Sequence, residues 1–387
     1  MSLNTQWAFV SLYEAVDIFD TLRKPINREE REIRITNKQE SELFPYYGAT
    51  GQVGFIDDYL IEGEYVLLGE DGAPFLNPFA QKAYIITGKS WVNNHAHILR
   101  SKSGNNKFLC YYLNLFDYKG YVSGTTRLKL TQDQMKRIPV PVPPLPEQQR
   151  IVARIEELFS QLDAGVETLK KTKQQLEVYR QAVLKEAFDS CETAEALGVL
   201  CEHITDGDHQ PPPKSEAGIP FIMISNIENS TINWDNTAFV GEEYYDNIDL
   251  KRRPQKGDVL YTVTGSFGIP ICVDFDKKFC FQRHIALLRP NDHIDQKYLF
   301  YALQEPNVYL QAKQKATGTA QKTVGLGVLR TIKVPFTTSY EKQKRIVADI
   351  ESKLSCCENI TNTISESLLS TSCIRESILK QAFEGGL

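Results

Sequence analysis

The sequence predicts an α+β protein in which two similar mixed α/β domains are joined by two long antiparallel helices forming a coiled coil with pseudo-two-fold symmetry. Three observations lead there. The chain repeats itself at a constant offset of 195 residues, each copy ends in a helical stretch of one narrow apolar seam, and a proline-rich segment precedes the first of these stretches.

The repeat is plainest in the helical parts. QQRIVARIEELFS from Gln148 lies on QKRIVADIESKLS from Gln343, and RQAVLKEAF from Arg180 lies on RESILKQAF from Arg375. Over the 41 positions from Gln148 to Phe188, 14 are identical without a gap. Internal repeats settle architecture before any single motif does. Upstream the match loosens but persists. GTTRLKL from Gly124 faces GTAQKTV from Gly318, IPVP from Ile138 faces IKVP from Ile332, and HAHILR from His95 faces HIALLR from His284. GEYVLLGEDGAP from Gly63 matches GDVLYTVTGSFGIP from Gly257.

Prolines 139, 141, 143, 144 and 146 disfavour helix before about residue 146, and Pro146 suits a first helical turn. Beyond them the apolar residues Ile151, Ile155, Leu158, Leu162, Val166, Leu169, Leu176, Tyr179, Val183 and Ala187 recur in steps of three, four and seven. That spacing makes one helix-pairing seam. The second seam runs through Ile346, Ile350, Cys357, Ile360, Ile364, Leu368, Ile374, Ile378 and Ala382, and is diluted by Ser and Thr between Thr361 and Ser372. Some 43 residues at ~1.5 Å each give a helix of roughly 65 Å, too long to lie on a domain of this size. The expected segments are a first domain at 1–145, a first long helix at 146–190, a second domain at 191–335 and a second helix at 336–387. Connectivity leaves the second helix one neighbour able to cover its seam, which is the first helix running the other way.

Composition narrows the function. The 387 residues are 42% hydrophobic, typical of a folded chain, and no apolar run approaches the ~18 residues of a membrane span. Eight cysteines occur without a Cys-x-x-Cys, which removes the usual zinc framework. Irregular cysteine spacing, with no signal-peptide layout from Met1 to Phe9, leads to an expected cytoplasmic location. Met1-Ser2-Leu3 carries no weight. The net charge of −5 is concentrated in the helices: residues 146–199 hold 7 Lys/Arg against 10 Asp/Glu, whereas residues 1–145 hold 16 against 16. Broad electrostatic attraction to nucleic acid is therefore excluded, and any such binding must come from local patches and partners.

Catalytic motifs are missing. No Gly-x-x-x-x-Gly-Lys-[Ser/Thr] and no Gly-x-Gly-x-x-Gly opens a helix after a strand. Asn77-Pro78-Phe79 faintly resembles the Asn-Pro-Pro-aromatic motif of methyltransferases, but lacks the second proline and a preceding glycine-rich loop. His203, Asp206, Asp208 and His209 have metal-like spacing, although ITDGDHQPPP is also ordinary turn chemistry, and no metal is expected. His95 and His284 occupy matching places and read as structural polar residues. What remains are basic and aromatic groups on loops. Lys251, Arg252 and Arg253 before Pro254 form a cationic turn. Arg127 and Lys129 follow the Gly124-Thr125-Thr126 turn, and Lys322 follows the matching turn at Gly318. There small residues allow close backbone approach while a cation reaches phosphate or a guanine edge. Tyr46, Tyr47 and Arg283 are further candidates for contact with DNA.

PLPEQQRIVARIEELFSQLDAGVETLKK from Pro144, closed by LKEAF at Leu184, resembles the helical region of type I restriction–modification specificity subunits. PYYGATGQVGFIDDYLIEGEYVLLGEDGA from Pro45, DGDHQPP from Asp206 and IMISNIE from Ile222 resemble the target-recognition domains of that family. The second helix departs most, with TTSYEKQKRIV from Thr337 in place of the proline-rich entry. The resemblance implies a non-catalytic subunit in which each domain reads one half of a bipartite target in double-stranded DNA. It implies that the helices set the gap and dock methylation subunits (HsdM type), with a restriction and motor subunit (HsdR type) joining them. S-adenosylmethionine, ATP and Mg are then expected on those partners, and no cofactor on this chain. The competing readings are a self-contained DNA-modifying enzyme with an unrecognised site and a duplicated coiled-coil scaffold that binds only protein.

Overall fold

A computed structural model describes residues 7–191, 193–210, 212–319 and 321–386. Met1-Ser2-Leu3, most of the stretch from Met1 to Phe9, and Ala320 in the second Gly-Thr turn lie outside the described residues. The chain divides into two units, one made of residues 1–170 and 365–387, the other of residues 171–364. Each unit thus holds one globular domain together with part of both long helices.

In the first unit the central sheet is antiparallel, in the order Val16–Ile18, Ala96–Ser101, Tyr65–Gly69, Ala83–Ile86. Tyr65–Gly69 is buried throughout because the sheet is covered on both faces. Its side chains alternate as a strand requires. Val66 and Leu68 face a core shared with the helix Asn106–Leu115, while Tyr65 and Leu67 face a second apolar cluster with Ile61, Val92 and Ile98. A second sheet runs Gly51–Ile56, Phe44–Gly48, Lys89–Val92, Ile61–Glu62, with Phe44–Gly48 parallel to Lys89–Val92. Phe9–Ser11 pairs with Pro139–Pro141, so the start of the domain is hydrogen-bonded to the strand that feeds the long helix.

The second unit repeats this plan. Its central sheet has the order Cys201–Asp206, Ile285–Pro290, Val259–Thr262, Pro270–Cys272, the same sequence of equivalent strands. Val259 and Tyr261 face one core while Leu260 faces another. Ile219–Ile222 sits between Ala238–Val240 and a parallel Cys280–Phe281, and Thr193–Ala196 pairs with Lys333–Phe336. The outer sheet and its loops differ most between the units.

The long helices span Leu145–Asp189 and Tyr340–Glu384, 45 residues each. Both ends keep the 195-residue offset of the sequence repeat. Their terminal turns do not stand free of the domains. Ile151, Val152 and Ile155 belong to the core of the first unit, and so do Ala382 and Phe383 from the far end of the other helix. In the second unit Ile346, Val347, Ile350 and Leu354 play the first role, and Val183, Leu184 and Phe188 the second. Apolar residues of each terminal turn are thus covered by a domain core, so the expectation that the first helix is the one neighbour able to cover the second helix's seam is too narrow. Within each unit the helices run antiparallel. In the second, Glu186 meets Lys353 at 3.4 Å and Arg180 meets Glu358 at 3.8 Å. In the first, Asp163 pairs with Arg375, whose guanidinium also covers the Phe159 ring.

Of the expected seam, Ile151, Ile155, Val183, Ile346, Ile350 and Ile364 are buried, and Leu158, Leu162, Leu169, Leu176, Leu368 and Ile378 are half-buried. Tyr179, Ile360 and Ile374 are exposed and are removed from it. Steps of three or four to neighbouring seam residues placed them there, but each such step turns the side chain roughly 40–60° around the helix, which here carries it off the buried face. The repeated glutamines are buried too. Gln148 donates to the Pro143 carbonyl and accepts from Ser103, and Gln343 donates to His293 and Thr337 carbonyls and accepts from the Asp295 amide. Each pins its helix entry to its own domain. No helix among the described residues is long and apolar enough to cross a membrane, and the eight cysteines are unpaired.

Candidate DNA interface

Four loops of the first unit meet at one end of its central sheet. Gly69 closes the central strand, and a β carbon there would meet the Ala73 side chain and the Ala49 carbonyl oxygen, the latter at 3.0 Å. Only glycine therefore lets the 48–51 turn approach the 69–73 loop. The Glu70 amide donates to the His95 carbonyl at 2.8 Å, and the Leu130 amide donates to the Glu70 carbonyl at 2.7 Å. Ser123 and Lys129 exchange two backbone hydrogen bonds, closing a turn in which Gly124 has φ +98°. A β carbon on Gly124 would stand 2.5 Å from the Arg127 carbonyl oxygen.

The second unit builds the same turn. The Val263 amide donates to the His284 carbonyl at 2.9 Å, and the Val324 amide donates to the Val263 carbonyl at 2.8 Å. Thr317 and Thr323 exchange two backbone bonds around Gly318, φ +107°, whose β carbon would be closer still to the Gln321 carbonyl oxygen. The repeat is thus preserved hydrogen bond by hydrogen bond at the Gly-Thr turns. His95 and His284 hold equivalent places, their carbonyls serving the backbone.

The charges around the turns differ. In the first unit Arg127 Nε lies 2.6 Å from an Asp71 carboxylate oxygen, Lys129 lies 3.5 Å from Glu70, and His95 lies 3.5 Å from Asp71. Behind them is a network that the sequence did not reveal. His97, fully buried, has Nδ1 2.6 Å from Asp20 and Nε2 3.0 Å from the Leu130 carbonyl, and Arg23 joins Asp20 to Glu70. Burial alone would raise the Asp20 carboxyl; the bond and charge of His97 and bonds from the Ile98 amide and Gln132 outweigh it and hold the pKa below the usual aspartate value. In the second unit the place of His97 is taken by Ala286 and that of Asp71 by Thr264, so the matching turn lacks these charges.

The candidate residues differ in their surroundings. Arg127, Lys129, Lys322 and Arg283 are exposed at these loops. Arg283 and His209 line a cleft of about 300 Å³ floored by Phe221, Met223 and Phe239. Tyr47 is half-buried, its ring against Tyr84. Tyr46 is 4% exposed and packs with Ile56 and Trp91, so it is a core residue rather than a surface contact. Its strand alternates, and Tyr46 faces inward. The cationic turn also needs correction. Lys251 is exposed, but Arg252 donates to the Asp206 carbonyl at 2.9 Å and to the Gly207 carbonyl, and Arg253 donates to the Ile248 and Asp246 carbonyls and covers the Tyr245 ring. Two of the three cations hold loops together. The 206–209 loop uses its carboxylates locally as well: Asp206 meets His209 at 2.8 Å, and Asp208 accepts from the Tyr244 hydroxyl and faces Arg252. Among the described residues no three His, Cys, Asp or Glu side chains gather as a metal site. Asn77 is a turn former, its side chain accepting from the Phe79 amide at 3.0 Å.

Two copies of one sheet, each presenting a glycine-hinged turn of polar and charged residues, define a duplicated recognition protein. The family model described as the type I restriction modification DNA specificity domain matches residues 5–178 and again 209–370, and the chain belongs to that family. It is 29% identical over 376 residues to a putative type I restriction enzyme specificity subunit of Haemophilus influenzae, covering 92% of this chain and 89% of that one. It is 24% identical to the MjaVIII specificity subunit of Methanocaldococcus jannaschii, covering 76% of this chain and 74% of that one. A chain solved in work on complex assembly and conformational transition of the type I R-M system superposes with TM-score 0.71 at 19% identity, over all of both chains. The HsdS subunit of Thermoanaerobacter tengcongensis superposes with TM-score 0.55 at 18% identity, covering 100% of this chain and 98% of that one.

Proposed function

We propose that each domain reads one half of a bipartite site in double-stranded DNA, that the long helices set the gap between the halves, and that the chain catalyses nothing itself. One observation carries this reading: the Gly-Thr turn is built twice with the same backbone bonds, but with different side chains at its tip. A scaffold that holds only protein needs no such variation on a conserved frame, and two readers of different half-sequences do.

The acidic, exposed faces of the helices suit protein partners better than DNA, so methylation subunits dock there and a restriction and motor subunit joins them. S-adenosylmethionine, ATP and Mg belong to those partners in this reading, which places the assembly with the DNA of the cytoplasm. The specificity chain selects the site and holds the duplex while a partner extrudes the base to be modified.

The test is a domain exchange. Replacing residues 1–145 by the corresponding domain of a relative should change one half of the methylated sequence and leave the other half and the gap intact. A swap that altered both halves together would overturn the two-reader assignment.

A further inference from the structure

We infer that the residue three places after the turn glycine selects one base in each half-site, Arg127 a guanine and Gln321 an adenine. This rests on the reading of each domain as a DNA reader. The sequence repeat already places Gln321 opposite Arg127, and the backbone bonds around both turns make the two positions equivalent in space.

Arg127 is held for reading a base rather than a phosphate. Its Nε approaches Asp71 at 2.6 Å while the side chain remains 61% exposed, so Asp71 holds the guanidinium from its Nε side and, although Nη2 passes over Gly72, much of the group stays open to solvent. The side chain lies across Gly72, where a β carbon would come 3.3 Å from Nε. A backbone bridge between Asp71 and Lys129 keeps the carboxylate beside the turn. A guanidinium oriented from one side offers a rigid fork whose two donors match the O6 and N7 acceptors of guanine in the major groove. A phosphate would fit poorly, because Asp71 and Glu70 both stand beside the cations of this turn and would repel it. The Asp71 carboxylate can itself accept from a cytosine amino group in the same base pair.

At the second turn neither the acid nor the cation is kept at its own position, although Asp206 and Arg283 line the same cleft as Gln321. Thr264 takes the place of Asp71 and bonds Thr323 through its hydroxyl at 3.3 Å, and the exposed tip residue is Gln321. A primary amide donates and accepts side by side, which matches N7 and the N6 amino group of adenine. A neutral amide needs no counter-ion, unlike Arg127. Lys322, the charged neighbour, takes the place of Leu128 and is left for the backbone of the DNA.

The experiment is selection from a randomised duplex library by the chain assembled with its methylation subunits, read by sequencing. Wild type should enrich a bipartite motif with a fixed guanine in one half and a fixed adenine in the other. Arg127→Ala should lose roughly tenfold or more of the preference at that one guanine and keep every other position. Arg127→Lys, which keeps the charge and can keep the pairing with Asp71 but has no fork, should behave like the alanine variant. Gln321→Ala should relax one adenine in the other half. A motif unchanged in both Arg127 variants, or one weakened equally at every position with a smaller salt slope, would show a structural or phosphate-binding role and overturn the inference alone. A wild-type complex that enriches no motif overturns the underlying function and the inference with it.

Discussion

The β carbon that Gly124 lacks would stand 2.5 Å from the carbonyl oxygen of Arg127, so the backbone that carries Arg127 and the residue that permits its turn are sterically linked. At φ +98° an alanine is strained whatever the space. Gly124→Ala should therefore distort the turn at a cost of ~1–3 kcal/mol. Affinity for the first half-site should fall while discrimination in the second half persists. Gly318→Ala should do the reverse. Equal loss in both halves from either variant, measured by competition with half-site mutants, would refute the independence of the turns.

The cationic turn at Lys251–Arg253 yields a prediction about stability rather than binding. Arg252 bonds two carbonyls of the 206–207 segment from a half-buried position. Its replacement by alanine leaves those acceptors unpaired, for ~1–3 kcal/mol of destabilisation. Lys251→Ala should leave the melting temperature unchanged and lower affinity slightly if the turn lies near phosphate. Thermal melts of the two single variants decide this, and equal effects on stability would contradict the assignment.

Phe383 is fully buried against Phe108 and Tyr112, 5.0 and 5.5 Å between ring centroids, although it lies 275 or so residues along the chain from them. Phe383→Ala should cost about 3–5 kcal/mol through lost burial and a cavity. The loss should fall on the first unit, while Phe188→Ala, the equivalent change, should loosen the second. Hydrogen exchange resolved along the chain would show which unit opens; protection lost uniformly would mean that the units do not unfold separately.

Asp20 supplies a pH dependence. Its carboxyl is held below the ordinary value of 3.8 in the folded chain, mainly because the His97 bond and charge outweigh burial. A depressed folded pKa contributes stability that is present above the unfolded value and is lost as pH falls through the folded one. Wild type should therefore lose this contribution as pH falls below about 4, and Asp20→Asn should be less stable at neutral pH with a flatter acid limb. Melting curves of both proteins between neutral pH and pH 3 check this, and parallel curves would mean that Asp20 contributes nothing of the kind.

The legible and illegible parts divide by the range of the interactions. Helix periodicity and the repeat are local patterns, so the long helices and the duplicated α+β plan could be read from residues such as Ile151 and Ile346. The matching Gly-Thr turns were legible for the same reason. Asp71 as the partner of Arg127, and Asp20 as the partner of His97, join positions 56 and 77 residues apart, and no spacing rule signals them. Lys251-Arg252-Arg253 misled because charge in a sequence does not reveal which carbonyls fold back to meet it. Tyr46 misled because neighbouring aromatics on a strand face opposite ways.

The helices carry the last prediction, on the gap. The two units divide at Lys170 in the first helix and at Ile364 in the second, so residues inserted there disturb the contacts within neither unit. Four residues add roughly 6 Å of helix and turn it about 40° beyond a full turn. One base pair advances DNA by ~3.4 Å and, at 10–10.5 pairs per turn, rotates it by about 35°. Adding four residues at both points should therefore move the half-sites apart by one to two base pairs, with both half-sequences unchanged. Adding them to one helix alone shifts its apolar residues past those of the other, and stability should fall instead. Mapping of methylated sites distinguishes the outcomes. A stable, active double insertion that keeps the original gap would mean that these helices do not set it.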